Sequence, residues 1–215
     1  MISSYQILYL IATYLISAIP FGLVIAKIFA KKDIRELGSK NIGATNVARV
    51  VGKKLGFVTL ILDGLKGAIM VIIARFSFSE VGNLNLFLVL ISAIAVLGHI
   101  YPIYLRFKGG KGVATTIAVL FAIDLKLGGF VTLFWILTFA IFRISSVSSL
   151  TAIFSSILVT YYFEAPVEQI ILCCVLFAVV LVRHKENIAR LISGEEKSFS
   201  KKKKEAEKNS ETAKN

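Results

Sequence analysis

Long apolar segments recur through most of this chain, and their length decides the solvent in which it folds. A helix needs about 20 apolar residues to cross the hydrocarbon core of a bilayer, and several segments approach or reach that length. Hydrophobic residues make up 56% of the 215 residues and charged residues only 18%, whereas soluble domains carry about 25% charged residues. The sequence therefore predicts an all-α, polytopic integral membrane protein.

About seven crossings are predicted, counting each apolar segment as one transmembrane helix. Pro20 and Gly22 interrupt the first and predict a kink there. The fourth is short and is followed by a polar break over 124–129, so five full spans with a re-entrant segment is the competing interpretation. The seven segments are 5–26, 57–76, 84–105, 113–123, 130–142, 145–163 and 167–182.

The positions of Lys and Arg predict the orientation of these helices. The loops after the first, third, fifth and seventh segments are rich in cations, which by the positive-inside rule places the N-terminus outside and the C-terminus in the cytoplasm. The net charge of +12 reflects these loops and a tail, so it indicates membrane lipids and anionic ligands rather than nucleic acid. Residues 1–196 are predicted to form the membrane domain, and 197–215 a disordered basic cytoplasmic tail.

Two loops combine small residues with cations. The segment GSKNIGATNVAR at 38–49 carries hydroxyl and amide donors and ends at Arg49, and FKGGKGVA at 107–114 places paired glycines between Lys108 and Lys111. Such loops suit phosphate groups. Together with the segment 183–194, they fall on the predicted cytoplasmic face, where we expect a single anion site between loops that opens sideways to lipid. Carboxylates are scarce there, so no metal is predicted.

Charged and titratable side chains also occur within the apolar segments. Asp63 and Lys66 lie on one face of a predicted helix, where a buried ion pair facing the bundle is the simplest interpretation. His99 ends the third segment and is interpreted as a hydrogen-bonding residue more readily than as a catalyst. Glu186 and Arg190 are spaced for a surface ion pair.

Five short segments in this chain resemble, in the same order, those of bacterial acyl-phosphate:glycerol-3-phosphate acyltransferases, the PlsY family. They are SAIPFG at 17–22, GSKNIGATNVAR at 38–49, LDGLKG at 62–67, GHIYPIYLRFKGGKGVAT at 98–115 and RHKENIARLISGEE at 183–196. The resemblance covers nearly the whole chain up to about residue 196. One departure is that the family commonly has Gly between Ser39 and Asn41, where this chain has Lys40. If that position needs a positive φ, the loop must adjust.

The resemblance implies a specific reaction. An acyl group passes from acyl phosphate to the sn-1 hydroxyl of glycerol 3-phosphate, producing lysophosphatidic acid for phospholipid biosynthesis at the cytoplasmic face of the bacterial inner membrane. Acyl phosphate is a mixed anhydride with a good leaving group, so direct attack is expected, without a covalent acyl-enzyme, a metal or a cofactor. The soluble enzyme that makes acyl phosphate is a candidate partner. A membrane transporter of a phosphorylated solute is the alternative, although internal repeats are not evident.

The resemblance also assigns roles to residues. Catalytic roles fall to Ser39, Arg49, Lys111, His184 and Asn187. Phosphate binding falls to Gly38, Asn41, Gly43, Thr45, Asn46, Lys108, Gly109, Gly110 and Gly112. Supporting roles are expected for Asp63, Lys66 and His99. Two candidates remain for the general base that accepts the proton of the acceptor hydroxyl: His184 and the acceptor's own phosphate.

Overall fold

The computed structural model describes residues 3–80, 82–196 and 198, which form ten α-helices and a 3-10 turn at Ile103–Leu105, with no strand in these ranges. The predicted tail, 197–215, lies outside the described residues apart from Ser198. The helices are α1 Ser4–Ser17, α2 Phe21–Ala30, α3 Ala44–Val50, α4 Lys53–Ser77, α5 Leu84–Ile100, α6 Val113–Ile123, α7 Leu125–Phe142, α8 Ser145–Tyr162, α9 Val167–Arg183 and α10 Lys185–Ile192. The predicted all-α membrane class is confirmed.

Four segments among the described residues are long and apolar enough to cross a bilayer, compared with the seven crossings predicted from the sequence. They are Ser4–Ala30, Lys53–Ser77, Leu84–Leu105 and Leu125–Phe142, and α9 with α10 makes a fifth if that pair, bent by 62°, counts as one span. Helix α6 is too short by this measure. Helix α8 is rich in serine, and hydroxyls such as those of Ser148 and Ser149 donate to carbonyls one turn earlier in the same helix.

The first span breaks between α1 and α2, where the sequence predicts a kink. Helix α1 ends at Ser17 and α2 begins at Phe21, directly after Pro20, which has no N–H to continue the helical hydrogen bonds. The carbonyl of Ile19 lies in this break, and it accepts from the amide of Phe21 at 3.1 Å and from Nζ of Lys66 of α4 at 2.8 Å. A buried cation therefore satisfies the backbone at the interruption.

Helix α7 begins five residues earlier than the sequence predicts. The segment 124–129 was expected to be a polar break, but only Asp124 lies outside a helix, and its carboxylate accepts a hydrogen bond from the amide of Leu127 at 2.8 Å. This N-cap starts α7 at Leu125. The guanidinium of Arg75, from the end of α4, donates to the last carbonyls of α6 at Ala122 and Ile123, at 3.0 and 2.6 Å. Both ends of the tight α6–α7 turn are therefore capped.

Helices α4 and α6 pack closely because α4 presents glycines to α6. A Cβ placed on Gly64 would lie 3.1 Å from the Cβ of Ala118, and one on Gly67 would lie 2.8 Å from Cγ2 of Thr115. Small residues at such an interface let two membrane helices approach without a hydrophobic driving force between them. Many large apolar side chains on the outer faces of α1, α4 and α7 are exposed, as expected of surfaces that face lipid.

Candidate active site

A cavity of about 1150 Å³ opens where the three polar segments meet. Its lining contains residues from 35–49, from 107–114 and from 182–190, which are far apart in the sequence, and also Ser145, Ser146, Ser149 and Glu196. The structure therefore brings together the segments that the sequence analysis expected to share one site. Every predicted site residue lines this cavity except Gly110 and Lys66.

Asn46 organises the first of these loops. Its side chain is 1% exposed, its amide nitrogen donates to the carbonyls of Ile34, Leu37 and Asn41 at 2.8–3.0 Å, and its oxygen accepts from the amide of Ser39 at 2.9 Å. All polar atoms of this side chain are thus engaged within the loop, which favours a scaffold role for Asn46 over the predicted phosphate contact. A small core lies beneath the loop, formed by Leu23, Ala26, Ile34, Ile42 and Val47.

The unusual residue in this loop, Lys40, has a left-handed backbone. Its φ is +57°, and its side chain is exposed. The position therefore has a positive φ of the kind that suits glycine, and Lys40 adopts this backbone conformation. A non-glycine residue in this region is destabilising by about 1–2 kcal/mol. Nearby, the hydroxyl of Thr45 lies 3.3 Å from that of Ser145 and links the loop to α8.

The second loop folds back on the end of α5. The amides of Gly109 and Gly110 donate to the carbonyls of Ile100 and His99 at 3.1 and 3.2 Å, and a Cβ on Gly110 would lie 2.1 Å from Nε2 of His99. These two amides are already used, so they serve the packing of the loop rather than the predicted phosphate cradle. The guanidinium of Arg183, to which the sequence analysis gave no role, donates to the carbonyls of Gly109 and Gly110 at 3.1 and 3.3 Å.

What remains open towards the cavity is the segment that begins α6. Gly112 precedes α6 with φ +84°, and Gly112, Val113 and Ala114 all line the cavity. The first amides of an α-helix lack intrahelical acceptors and carry positive partial charge, so they favour an anion at this point. Lys111 lies beside them, and the side chain of Lys108 is exposed to solvent.

Lys111 begins a hydrogen-bonded network that connects three parts of the chain. Its Nζ donates to Oδ1 of Asn187, and Nδ2 of Asn187 donates to Oε1 of Glu196 at 2.6 Å. The same carboxylate accepts from Ser146 Oγ at 2.8 Å and from Arg190 Nε at 2.8 Å. Glu196 therefore links α8 to α10 and, through Asn187, to the Lys111 side chain. Arg190 pairs with Glu196 rather than with the predicted partner Glu186.

The network changes the pKa of its charged members. Burial lowers the pKa of Lys111 from 10.5 to about 8, although the charge of Glu196 acts in the opposite direction. Burial also lowers the pKa of Arg49, again against the attraction of Glu196. For Glu196, burial alone would raise the pKa, but hydrogen bonds from Asn187, Arg190 and Ser146 outweigh it and lower the pKa below its usual range. These pKa shifts are those expected of a site in which positive charge exceeds negative charge.

The two histidines occupy different surroundings. His184 lies at the bend between α9 and α10 and is 2% exposed, and its Nδ1 lies 2.8 Å from the carbonyl oxygen of Val180. A carbonyl only accepts, so Nδ1 carries a proton, and in the neutral ring Nε2 keeps its lone pair. His99 is also buried, with Nδ1 3.6 Å from Oδ1 of Asp63, which in turn pairs with Lys66 at 3.1 Å. The predicted ion pair of Asp63 and Lys66 does lie inside the bundle.

The cavity continues from this polar end into an apolar groove. The apolar lining comes from α4, α6 and α7. The apolar lining residues are Leu60, Ile61, Leu65, Ile117, Ala118, Phe121, Trp135 and Ile136. Leu60, Ile61, Leu65 and Ile136 are each more than 40% exposed, so the groove borders the lipid-facing surface. One cavity thus offers a cationic, hydrogen-bonding end and a region suited to hydrocarbon.

Comparison with known proteins gives concordant results. The sequence model of the family described as Glycerol-3-phosphate acyltransferase matches residues 7–194. Proteins named glycerol-3-phosphate acyltransferase from Wolbachia pipientis and Ehrlichia canis are 42% and 44% identical to this chain. These alignments cover 88% and 87% of this chain and 96% and 95% of the relatives.

Solved structures agree with the sequence comparisons. The crystal structure of PlsY, an integral membrane glycerol 3-phosphate acyltransferase, in its glycerol 3-phosphate form has a TM-score of 0.85 and 40% identity. The match covers 91% of this chain and 96% of that one. The lysophosphatidic acid form of PlsY gives a TM-score of 0.83 over the same shares.

Proposed function

Since this chain belongs to the glycerol-3-phosphate acyltransferase family, we propose that it transfers an acyl group from acyl phosphate to the sn-1 hydroxyl of glycerol 3-phosphate. The product is lysophosphatidic acid. The family assignment confirms the acyltransferase prediction against the alternative of a transporter. The donor and the mechanism are proposals, and the following observations support them.

The observation that carries the proposal is the continuity of the cavity. Arg49 and Lys111 line its polar end, and Phe121 lines the apolar groove of the same cavity. An acyl phosphate has one anionic end and one hydrocarbon end, so it matches both parts at once. The neighbouring amides at the start of α6 and the hydroxyls of Thr45 and Ser145 also line the cavity. They are available as hydrogen-bond donors to a second phosphorylated substrate.

The proposed step is direct acyl transfer. The sn-1 hydroxyl oxygen of glycerol 3-phosphate attacks the carbonyl carbon of acyl phosphate, forming the ester bond, while the bond from that carbon to the phosphate oxygen breaks and inorganic phosphate leaves. Holding both substrates in one cavity can contribute about 7–11 kcal/mol. Donors aimed at the developing negative charge contribute about 3–4 kcal/mol each.

The residues at the polar end have complementary roles in this proposal. Arg49 provides a bidentate clamp for one phosphate. Lys111 neutralises the departing phosphate, and Asn187, held by Glu196, positions the Lys111 ammonium. Ser39, Asn41 and the small residues Gly38 and Gly43 shape the wall of the first loop beside them.

Two groups are candidates for accepting the proton of the attacking hydroxyl. His184 presents an unprotonated Nε2 because its Nδ1 donates to Val180. The phosphate of the acceptor is the other candidate, since it lies on the same molecule as the hydroxyl. A His184→Gln variant separates them: loss of turnover favours the histidine, and retained turnover with an unchanged acid limb in the pH profile favours the phosphate.

Location and partners follow from the same proposal. We infer a multi-pass protein of the bacterial inner membrane with its site on the cytoplasmic face, since the loops that line the cavity are the cationic ones. The groove beside lipid allows an apolar donor to enter from the membrane. A soluble enzyme that makes acyl phosphate would deliver the donor to this face.

The test uses purified protein in lipid bilayers with radiolabelled glycerol 3-phosphate. Palmitoyl phosphate should yield lysophosphatidic acid, whereas palmitoyl-CoA and palmitoyl carried on acyl carrier protein should not. Arg49→Ala and Lys111→Ala should be nearly inactive, and Lys126→Ala, at an exposed lysine outside the cavity, should match the unmodified protein. Equal product from the thioester donors, or full turnover by Arg49→Ala, would overturn the proposal.

A further inference from the structure

The apolar groove has a defined end, formed by Phe121. On α6, the lining positions are Val113, Ala114, Ile117, Ala118 and Phe121, which recur on one face of the helix, and within the described residues the lining of α6 stops there. Phe121 is the last of them, counted from Lys111. Lys111 and Gly112 precede α6, and from Val113 to Phe121 the helix rises roughly 12 Å. That distance is a little under half of the roughly 30 Å hydrocarbon core of a bilayer, so a chain of ordinary lipid length would extend from the polar end of the groove to Phe121.

The ring of Phe121 is held by the neighbouring helix. Gly128 of α7 lies directly against it, and a Cβ at Gly128 would be 2.3 Å from Cγ of Phe121. The end of α6 is fixed as well, because Arg75 donates to the carbonyls of Ala122 and Ile123 and Asp124 caps α7. Phe121 is partly exposed, and the backbone of α7 at Gly128 blocks movement of the ring towards α7.

We propose that Phe121 sets the upper limit of the acyl chain length that this enzyme accepts. The proposal rests on the proposed function, in which the groove receives the chain of the acyl donor. A chain that reaches the ring is fully accommodated, whereas a longer one must leave the groove or displace the ring. In a closed hydrophobic pocket one methylene changes kcat/KM by about 10–200-fold. A groove that borders lipid should give values at or below the lower end of that range.

The experiment compares donors of increasing length on variants at two depths of the groove. The donors are decanoyl, lauroyl, myristoyl, palmitoyl, stearoyl and arachidoyl phosphate, and kcat/KM is measured for each in bilayers. Phe121→Ala should raise the ratio of kcat/KM for the longest donor to that for the optimum by about tenfold. Ile117→Phe, which places a ring one turn nearer to Lys111, should move the optimum to shorter donors.

Controls separate chain selection from general damage. Phe134→Ala is the matched truncation, because Phe134 lines a different cavity between α7 and α8, and its donor profile should equal that of the unmodified protein. Phe121→Leu is measured as well, since it keeps a side chain against Gly128 if the alanine variant fails to fold. A variant that only loosens the fold lowers kcat/KM for all donors alike.

The outcomes distinguish this inference from the proposed function. If the unmodified protein makes lysophosphatidic acid but Phe121→Leu and Ile117→Phe both keep its optimum, the assignment of Phe121 is wrong and the function stands. If no acyl phosphate of any length is used, the proposed function itself fails. Opposite shifts by the variants at Phe121 and Ile117 would support both.

Discussion

Two lysines of this protein, Lys66 and Lys111, differ in what surrounds their ammonium groups. Lys66 is buried and Lys111 is partly buried. The ammonium of Lys66 lies 3.1 Å from Oδ1 of Asp63 and donates to the carbonyl of Ile19 at 2.8 Å. The ammonium of Lys111 donates to the neutral amide of Asn187, and within the described residues no carboxylate oxygen lies within 4.0 Å of it.

The difference supports the proposal that Lys66 is a structural cation and Lys111 a functional one. Lys66 has its counter-ion inside the bundle and needs nothing further. Lys111 is partly buried, and Glu196 acts on it only through Asn187 and over a longer distance, so an anionic ligand would complete its surroundings. A buried cation is costly unless it is paired, which explains why the pKa of Lys111 falls to about 8.

Removing Lys66 should give the largest effect, and on stability. Lys66→Ala leaves the carboxylate of Asp63 buried with only His99 beside it, and breaking a buried ion pair is destabilising by about 3–5 kcal/mol. Thermal unfolding in detergent measures this. The double variant Asp63→Leu with Lys66→Met removes both charges and should recover most of the loss. If Lys66→Ala unfolds at the temperature of the unmodified protein, the structural role assigned to Lys66 is wrong.

Removing Lys111 should act on catalysis instead. Lys111→Ala should lower kcat/KM by about 10²–10³-fold, the usual effect of losing a donor to transition-state charge, while the unfolding temperature changes little. Steady-state assays together with thermal unfolding check this. A large loss of stability with only a small loss of turnover would reverse the comparison between the two lysines.

The pH dependence of kcat/KM should follow the protonation state of Lys111. Its ammonium is charged below a pKa of about 8, so kcat/KM should fall as pH rises through that value, by about tenfold for each further unit. Lys111→Arg keeps its charge at high pH, so its alkaline limb should move upward even if its activity is lower. An unmodified enzyme with constant kcat/KM up to pH 10 would contradict the pKa of Lys111.

The neighbouring lysine, Lys108, should matter least. It is exposed to solvent although it lines the same cavity, and exposed charges are screened by salt and contribute little. Lys108→Ala should lower kcat/KM by about two- to fivefold at low ionic strength, chiefly through KM, and the difference should vanish in high salt. A loss equal to that of Lys111→Ala would place both lysines on the substrate.

The sequence predicted the parts of this protein that depend on composition and spacing. The long apolar helices and the meeting of three polar segments at one cavity followed from hydropathy and the distribution of cations. The start of α7 did not, because the segment 124–129 suggested a polar break, whereas Gly128 packs against Phe121 inside the helix.

Other details of the site depend on partners that are distant in the sequence. The amides of Gly109 and Gly110 donate to carbonyls of α5, so they are not open to a phosphate. Glu196 received no role from the sequence because one of its partners, Ser146, lies 50 residues away on α8. Asn46 has the residue type expected of a ligand, but its four loop contacts are visible only once the chain has folded.

The apolar groove borders the outer surface of the bundle instead of being enclosed. In the proposed reaction, the tail of the newly made lipid is therefore already among its neighbours in the bilayer when the ester bond forms. Departure of the product requires that its head group leave the cations and its tail leave the groove sideways, followed by diffusion within the plane of the membrane. Turnover limited by product exit should then depend on bilayer fluidity and not on solubility in water.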